Sequence, residues 1–339
     1  MLRASNLFPA VLALVLIAQN GSARAQSDAR PQDNVPNPYR TIDDWAQLPE
    51  GRVWGATSAI GVDPDGNIWV ADRCAANSCA GSDLPPMLKF DPEGRLLASF
   101  GAGMFARPHG MHIDRDGNIW VADDTAADGK GHQVFKFSPE GEILMTLGEA
   151  GVAGDGPNQL NRPSDVVLAP NGDIFVADGH GGDSNDRIVH YSPDGTFIKA
   201  WGYRGAGPGE FNELHAVAFD SQGRLFVADR ENNRIQIFDR DGNFLAEWKQ
   251  FGRPSGLAID ANDTLYVADA ESSENTNPGW TKGIWIGNAR DGSVTGFIPG
   301  APASGGDGLT APEDVAVDTL GNLYGAEVAA RTVKKFVRP

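Results

Sequence analysis

A twelve-residue phrase recurs six times along this chain of 339 residues, and such self-similarity constrains the fold more than any single residue does. Its second copy, IDRDGNIWVADD, runs from Ile113 to Asp124, and the others cover 62–73, 168–179, 219–230, 259–270 and 317–328. Each copy is an apolar residue and, in five copies, an acid, then a turn that is Gly-centred in five copies, and an alternating run that carries Val-Ala-Asp or a variant of it. The turn residues tolerate positive φ and the flanks are β-branched or aromatic, so each copy reads as a β-hairpin. A second hairpin follows at 89–101, 136–148, 190–202 and 237–249, and more weakly at 287–299. The turn position advances by 51, 55, 51, 40 and 58 residues. Four strands at that period predict an all-β fold, a six-bladed β-propeller with four-stranded antiparallel blades. The C-terminal repeat offers three strands, so the ring is expected to close by pairing strands from both termini. The missing outer strand should come from residues near Trp45.

Six blades use residues 42–339 as one propeller domain. Residues 1–25 read as a cleavable signal peptide: Arg3, an apolar stretch from Leu7 to Ala18, and the small-x-small sequence Ala23-Arg24-Ala25. That stretch is too short to span a bilayer, so no membrane association is expected after cleavage. The polar, Pro-rich segment 26–41 reads as a disordered leader. The formal charge of −17 argues against nucleic acid as a partner. Export to a secreted or periplasmic location gives Cys74 and Cys79 a role as a local disulfide, pinning the loop that carries Arg73. Two cysteines alone do not make a zinc site. Three turns begin like calcium loops, but their twelfth positions are Cys74, Thr125 and Gln250 where such a loop needs Glu.

The chemistry-bearing positions lie just ahead of each phrase, where the chain leads into a blade's innermost strand. One position in this frame holds His109, Ser164, His215, Ser255 and Glu313. Alternate blades thus offer a metal-capable side chain, and three such groups would converge on the axis of a six-fold ring. Two histidines and a carboxylate suit catalytic zinc or non-heme iron. The plainer alternative is a set of polar groups hydrogen-bonded in a wet channel. His112, His132 and His190 read as packed or structural, and His180 as a residue at the channel rim. Arg73 and Arg230 each directly follow Val-Ala-Asp. Guanidinium forks there suit a small anionic substrate; the alternative is a salt bridge within the loop, to Asp72 or Glu231.

The stretches RPHGMHID (107–114), HQVFKFSPEGEIL (132–144), VADGH with RIVHYSPDG, and VADRENNRIQIF (227–238) resemble the peptidyl-α-hydroxyglycine α-amidating lyases, within the NHL-repeat propellers. That resemblance spans about Gly51 to Phe336. It implies zinc held by histidines matched here by His109 and His215, with Glu313 at the third position. It also implies structural calcium held by Asp314 and the carbonyls of Ile60 and Met111, with Arg73 and Arg230 against the substrate. The family's active-site tyrosine falls at His180, which could act as the base. The implied reaction splits a carbinolamide, N–CH(OH)–COO⁻, into an amide and glyoxylate, on a peptide-derived substrate. A metal-dependent lactonase and a non-catalytic protein- or glycan-binding NHL module are the alternative readings. A monomer is expected.

Overall fold

The computed structural model describes Met1, residues 35–303 and residues 308–339. The expected signal peptide, apart from Met1, lies outside the described residues, as does most of the expected leader. The strands form six four-stranded antiparallel sheets, each a blade, and one two-stranded ribbon, Ala301–Pro302 with Leu309–Thr310. In blade two the order from the axis outward is Pro108–Ile113, Ile119–Asp123, Gln133–Phe137 and Ile143–Leu147. The other blades repeat it.

The repeated phrase supplies each blade's first two strands and the turn between them. Gly117 takes φ 81° there, a conformation open to Gly at no steric cost, while Asp263 takes φ 62° in the copy that lacks the glycine. The second strands are buried along their whole length, and the outermost strands face solvent. The core divides into six clusters, one across each blade boundary. Neighbouring sheets therefore bury their faces on each other, and closure leaves no face without a partner.

Closure runs through the N-terminal segment. Arg40–Ile42 pairs antiparallel with the last strand, Thr332–Val337, as the outer strand of blade six. This is slightly earlier than expected, because Trp45 is used for packing. Its ring lies 5.1 Å from Tyr324 and 6.0 Å from Phe90, and its Nε1 donates to the Pro92 carbonyl at 2.9 Å. The leader is also shorter than the expected 26–41. Tyr39 is buried, with its hydroxyl donating to the Gly321 carbonyl at 3.0 Å, and the Phe297 N–H donates to the Pro36 carbonyl at 3.1 Å. A polar composition did not reveal that one buried tyrosine would anchor the segment.

Each second strand ends in a buried acid: Asp72, Asp123, Asp178, Asp229, Asp269 and Glu327. In blade two, Asp123 accepts the N–H of Ala106 at 3.0 Å and of Arg107 at 2.5 Å. Asp178, Asp229 and Asp269 likewise accept the N–H groups of Asn161, Asn212 and Arg253. These carboxylates fasten the lead-in to the innermost strand, where backbone donors would otherwise be buried without partners.

Two outcomes test this account. Removing residues 35–42 strips blade six of its outer strand and of Tyr39, and should lower the melting temperature by roughly 10 °C; an unchanged melting curve would refute the closure. The second concerns Asp123. Burial, with a smaller push from Asp124, raises its carboxyl to about 7 against the opposing backbone N–H groups. The folded chain then keeps a proton that the unfolded chain releases above about pH 4, so this group's contribution falls as pH rises from about 4 to 7. Asp123→Asn has no proton to lose. The melting temperature of the parent minus that of the variant should be largest near pH 4 and shrink toward pH 8.

Candidate metal centre

The innermost strands of blades two and four deliver His109 and His215 to the axis. Gly110 allows the first to do so, since a Cβ there would lie 2.4 Å from the Ser164 carbonyl of the next blade. That close approach lets His109 Nδ1 donate to the same carbonyl at 2.8 Å, and His215 Nδ1 donates to the Ser255 carbonyl at 2.7 Å. With Nδ1 used as donor, Nε2 of each ring carries the lone pair. Both histidines are buried, and His215 Nε2 makes no well-aligned hydrogen bond although Glu313 Oε1 lies 2.9 Å away.

A third histidine joins them. His180 leaves the second strand of blade three, and the N–H groups of Gly179 and His180 both donate to the Arg162 carbonyl. Its Nδ1 lies 2.9 Å from Asp124 Oδ2. One ligand-capable atom from each of His109, His180 and His215 lies within 4.8 Å of the others. The ring centroids are 4.2 Å apart for His109 and His180, 4.7 Å for His109 and His215, and 5.3 Å for His180 and His215.

Glu313, the expected third ligand, stands beside this group of three histidines. Its Oε1 lies 2.9 Å from His215 Nε2 and 3.2 Å from Arg230 Nη1, at the edge of the cluster. His180, expected at the rim, joins His109 and His215. It comes from a strand exit extended by residues 181–186, one residue past the slot that holds Arg73 and Arg230 in blades one and four, so a comparison of positions leading into the blades passes it by.

Charge around the histidines is uneven. Burial holds His109 and His215 well below their ordinary range, with His180 adding to it for His109 and Arg230 for His215, so both stay neutral ligands. Burial would raise the Asp124 carboxyl, but His180, His109 and Arg107 outweigh it and hold it low. Arg230 touches three carboxylates: Glu213, Glu313 at 3.2 Å and Glu271 at 3.5 Å. They raise its pKa against the opposing effect of burial. The alternative of a salt bridge is thus realised for Arg230, with acids other than Glu231. Arg73 differs. It has no carboxylate partner among the described residues; its Nε donates to the Pro108 carbonyl at 3.0 Å and its Nη1 to Asn77 Oδ1 at 2.8 Å. Burial and Arg107 lower it to about 10.

The neutral imidazoles of His109 and His215, each with Nδ1 tied to a carbonyl, together with His180 and the carboxylates alongside, fit a divalent cation of the zinc or iron type. Further along the channel, Asp314, Ile60 and Met111 line a cavity of about 280 Å³. Asp314 Oδ2 accepts the Ile60 N–H at 3.0 Å. The sequence reading missed Asp165, which lines the same cavity and accepts the Val217 N–H at 2.9 Å. Burial raises Asp314 to about 7 and Asp165 well above its ordinary range, with Asp314 adding to the latter. His112 lines this cavity too. Cys74 and Cys79 form the expected disulfide. His190 stacks on Phe175, and His132 Nδ1 accepts the Arg162 N–H, both structural roles.

Residues 211–238 match the NHL repeat family. The chain is 33% identical over 311 residues to NHL repeat-containing protein 3 of Homo sapiens, covering 88% of this chain and 84% of that one. It is 35% identical over 269 residues to peptidyl-glycine alpha-amidating monooxygenase B of Xenopus laevis, but that covers 74% of this chain and only 28% of the relative. A probable peptidyl-alpha-hydroxyglycine alpha-amidating lyase of Caenorhabditis elegans is 38% identical over 151 residues, 43% of this chain and 41% of its own. Among solved structures, a gluconolactonase of Xanthomonas campestris shares the fold at a TM-score of 0.58 and 15% identity, covering 94% of this chain and 99% of that one. Repeat, blade count and full-length similarity agree: the chain belongs to the NHL-repeat β-propeller family.

Proposed function

We propose that this protein is an exported, metal-dependent lyase that splits a carbinolamide, N–CH(OH)–COO⁻, into an amide and glyoxylate. The observation that carries the reading is the convergence of His109, His180 and His215 close to a buried arginine without a carboxylate partner. Similarity to proteins named as amidating lyases supports it. The three histidines would hold zinc or iron, and such an ion supplies charge stabilisation at the hydroxyl oxygen as its proton leaves.

The chain's own groups do the rest. Asp124 orients His180, and the carbonyls of Ser164 and Ser255 orient the other two rings. Arg73 takes the substrate carboxylate, because Arg230 is already neutralised by its three acids. Glu313 Oε1, beside His215 and steadied by Arg230, accepts the hydroxyl proton. The O–H electron pair becomes the carbonyl of glyoxylate, the C–N pair leaves with nitrogen, and the proton returns to that nitrogen. The reaction thus needs no co-reactant. A structural calcium is proposed at Asp314 with the carbonyls of Ile60 and Met111, and Asp165 adds a second carboxylate there. The disulfide supports export to an oxidising compartment. No helix among the described residues is long and apolar enough to cross a membrane.

Metal analysis of the purified protein should find one transition-metal equivalent per chain. His180→Ala should lower metal affinity by roughly tenfold or more, whereas Glu313→Gln should keep the metal. Retention by the first variant and loss by the second would return the third ligand to Glu313. The metal-loaded protein should release glyoxylate from an α-hydroxyglycine peptide, and Glu313→Gln should slow that release by roughly a hundredfold. A fully metallated preparation that opens lactones but releases no glyoxylate would establish the lactonase instead. Inertness toward both substrates would leave the binding module.

A further inference from the structure

The loop closed by Cys74 and Cys79 begins at the residue after Arg73 and curls back over it. Its backbone is held in an unusual form, with Cys74 at φ 53° and Ala75 at φ 61°. Both are left-handed values that non-glycine residues adopt only where the surroundings impose them. On one side the Ala56 N–H donates to the Ala76 carbonyl at 2.7 Å. Gly55 makes room there, since a Cβ at that position would lie 2.8 Å from the nitrogens of Ala75 and Ala76. On the other side the Cys79 N–H and Ser78 Oγ both donate to the Ala106 carbonyl, at 2.8 and 3.0 Å. The loop is therefore clamped between the lead-ins of blades one and two, and blade two's lead-in carries His109.

This clamp fixes Asn77, an exposed residue whose Oδ1 accepts from Arg73 Nη1 at 2.8 Å. The Pro108 carbonyl takes Arg73 Nε. Two of the three guanidinium nitrogens are thus held from two blades, and Nη2 has no partner among the described residues. A long cationic side chain with one fixed edge and one open edge is prepared for an anion, because little rotamer entropy is lost on binding. The charge acts on the cluster, since Arg73 is among the groups that hold His109 and His215 neutral.

We propose that Asn77, set in place by the Cys74–Cys79 disulfide, is a positioning residue that aims Arg73 at the carboxylate of the substrate. The assignment rests on the lyase reading for the identity of that carboxylate, but its test does not require turnover. The probe is glyoxylate, titrated calorimetrically into the metal-loaded protein, with the uncharged glyoxylamide as its control. Asn77→Ala should weaken glyoxylate roughly tenfold, the loss of one charge-assisted hydrogen bond's worth of orientation, and leave glyoxylamide within twofold. Cys74→Ser with Cys79→Ser should do the same while retaining the metal. With the hydroxyglycine peptide, Asn77→Ala should raise KM by the same factor and leave kcat within twofold.

Parent-like glyoxylate affinity in Asn77→Ala would overturn the proposal, and so would equal weakening of both probes. If the cysteine variant does not fold, the single asparagine substitution still decides. Absence of turnover in the parent protein, with the glyoxylate difference intact, would remove the lyase reading and leave Arg73 as an anion site aimed by Asn77. No measurable glyoxylate binding in the parent would remove this proposal.

Discussion

A buried carboxylate at the end of each second strand decides where everything else in the ring can lie. The chain must cross from the outer edge of one blade to the innermost strand of the next, and its N–H groups have no strand to pair with during that crossing. Asp123 takes two of them, from Ala106 and Arg107. His109 follows two residues after Arg107, so the hydrogen bonds that close the gap also set the height at which its imidazole meets the axis. Asp229 does the same for Asn212, three residues ahead of His215. The aspartate of the repeated phrase is therefore a structural residue whose effect is measured at the channel. Its raised pKa in blade two is the cost of placing a charge where only backbone donors can reach it.

Closely set innermost strands bring a second consequence. Neighbouring backbones come close there, as at Gly110 and Gly256, and ring nitrogens and carboxylates find carbonyl and N–H partners on the next blade. His109 and His215 use Nδ1 in this way, and Asp165 and Asp314 use Oδ2. Each polar group at the axis is thus half satisfied by protein and half open to the channel. That division keeps the histidines neutral with a lone pair to offer, and leaves each carboxylate with an oxygen to give a cation.

The repeat made the wheel readable, because blade, turn and strand order are local properties copied six times. It also located His109, His215, Arg73 and Arg230, which occupy equivalent slots in the copies. It did not reveal His180 as a member of the cluster, since residues 181–186 have no counterpart in the other blades and an alignment of repeats is blind to what only one repeat has. Asp165 was a different kind of miss. It stands in the same column as Asp314 in RPSDVV and APEDVA, three blades away and hence across the axis, one residue after the position that holds Ser164 and Glu313. The outer strand at Arg40–Ile42 was foreseen by counting strands; its register was not, because a three-residue strand is too short to carry a pattern of its own.

Arg73 and Arg230 show how far equivalent sequence positions can diverge in chemistry. Both follow Val-Ala-Asp, and both are buried at the same end of the ring. Around Arg230 stand Glu213, Glu271 and Glu313, with Glu271 also facing Arg253, so three anions crowd its guanidinium. Around Arg73 the acceptors are an amide and a carbonyl, both neutral, so no carboxylate contacts it. The two arginines then have opposite effects on an incoming anion. One offers attraction on the blade-one side; the other holds acids beside the imidazoles of His180 and His215. Under the proposed lyase reading, a substrate with a carboxylate and a reacting hydroxyl on one carbon would satisfy both sides only in a single orientation, carboxylate toward blade one and hydroxyl toward Glu313. The asymmetry that breaks the six-fold repeat is thus what gives the channel a direction.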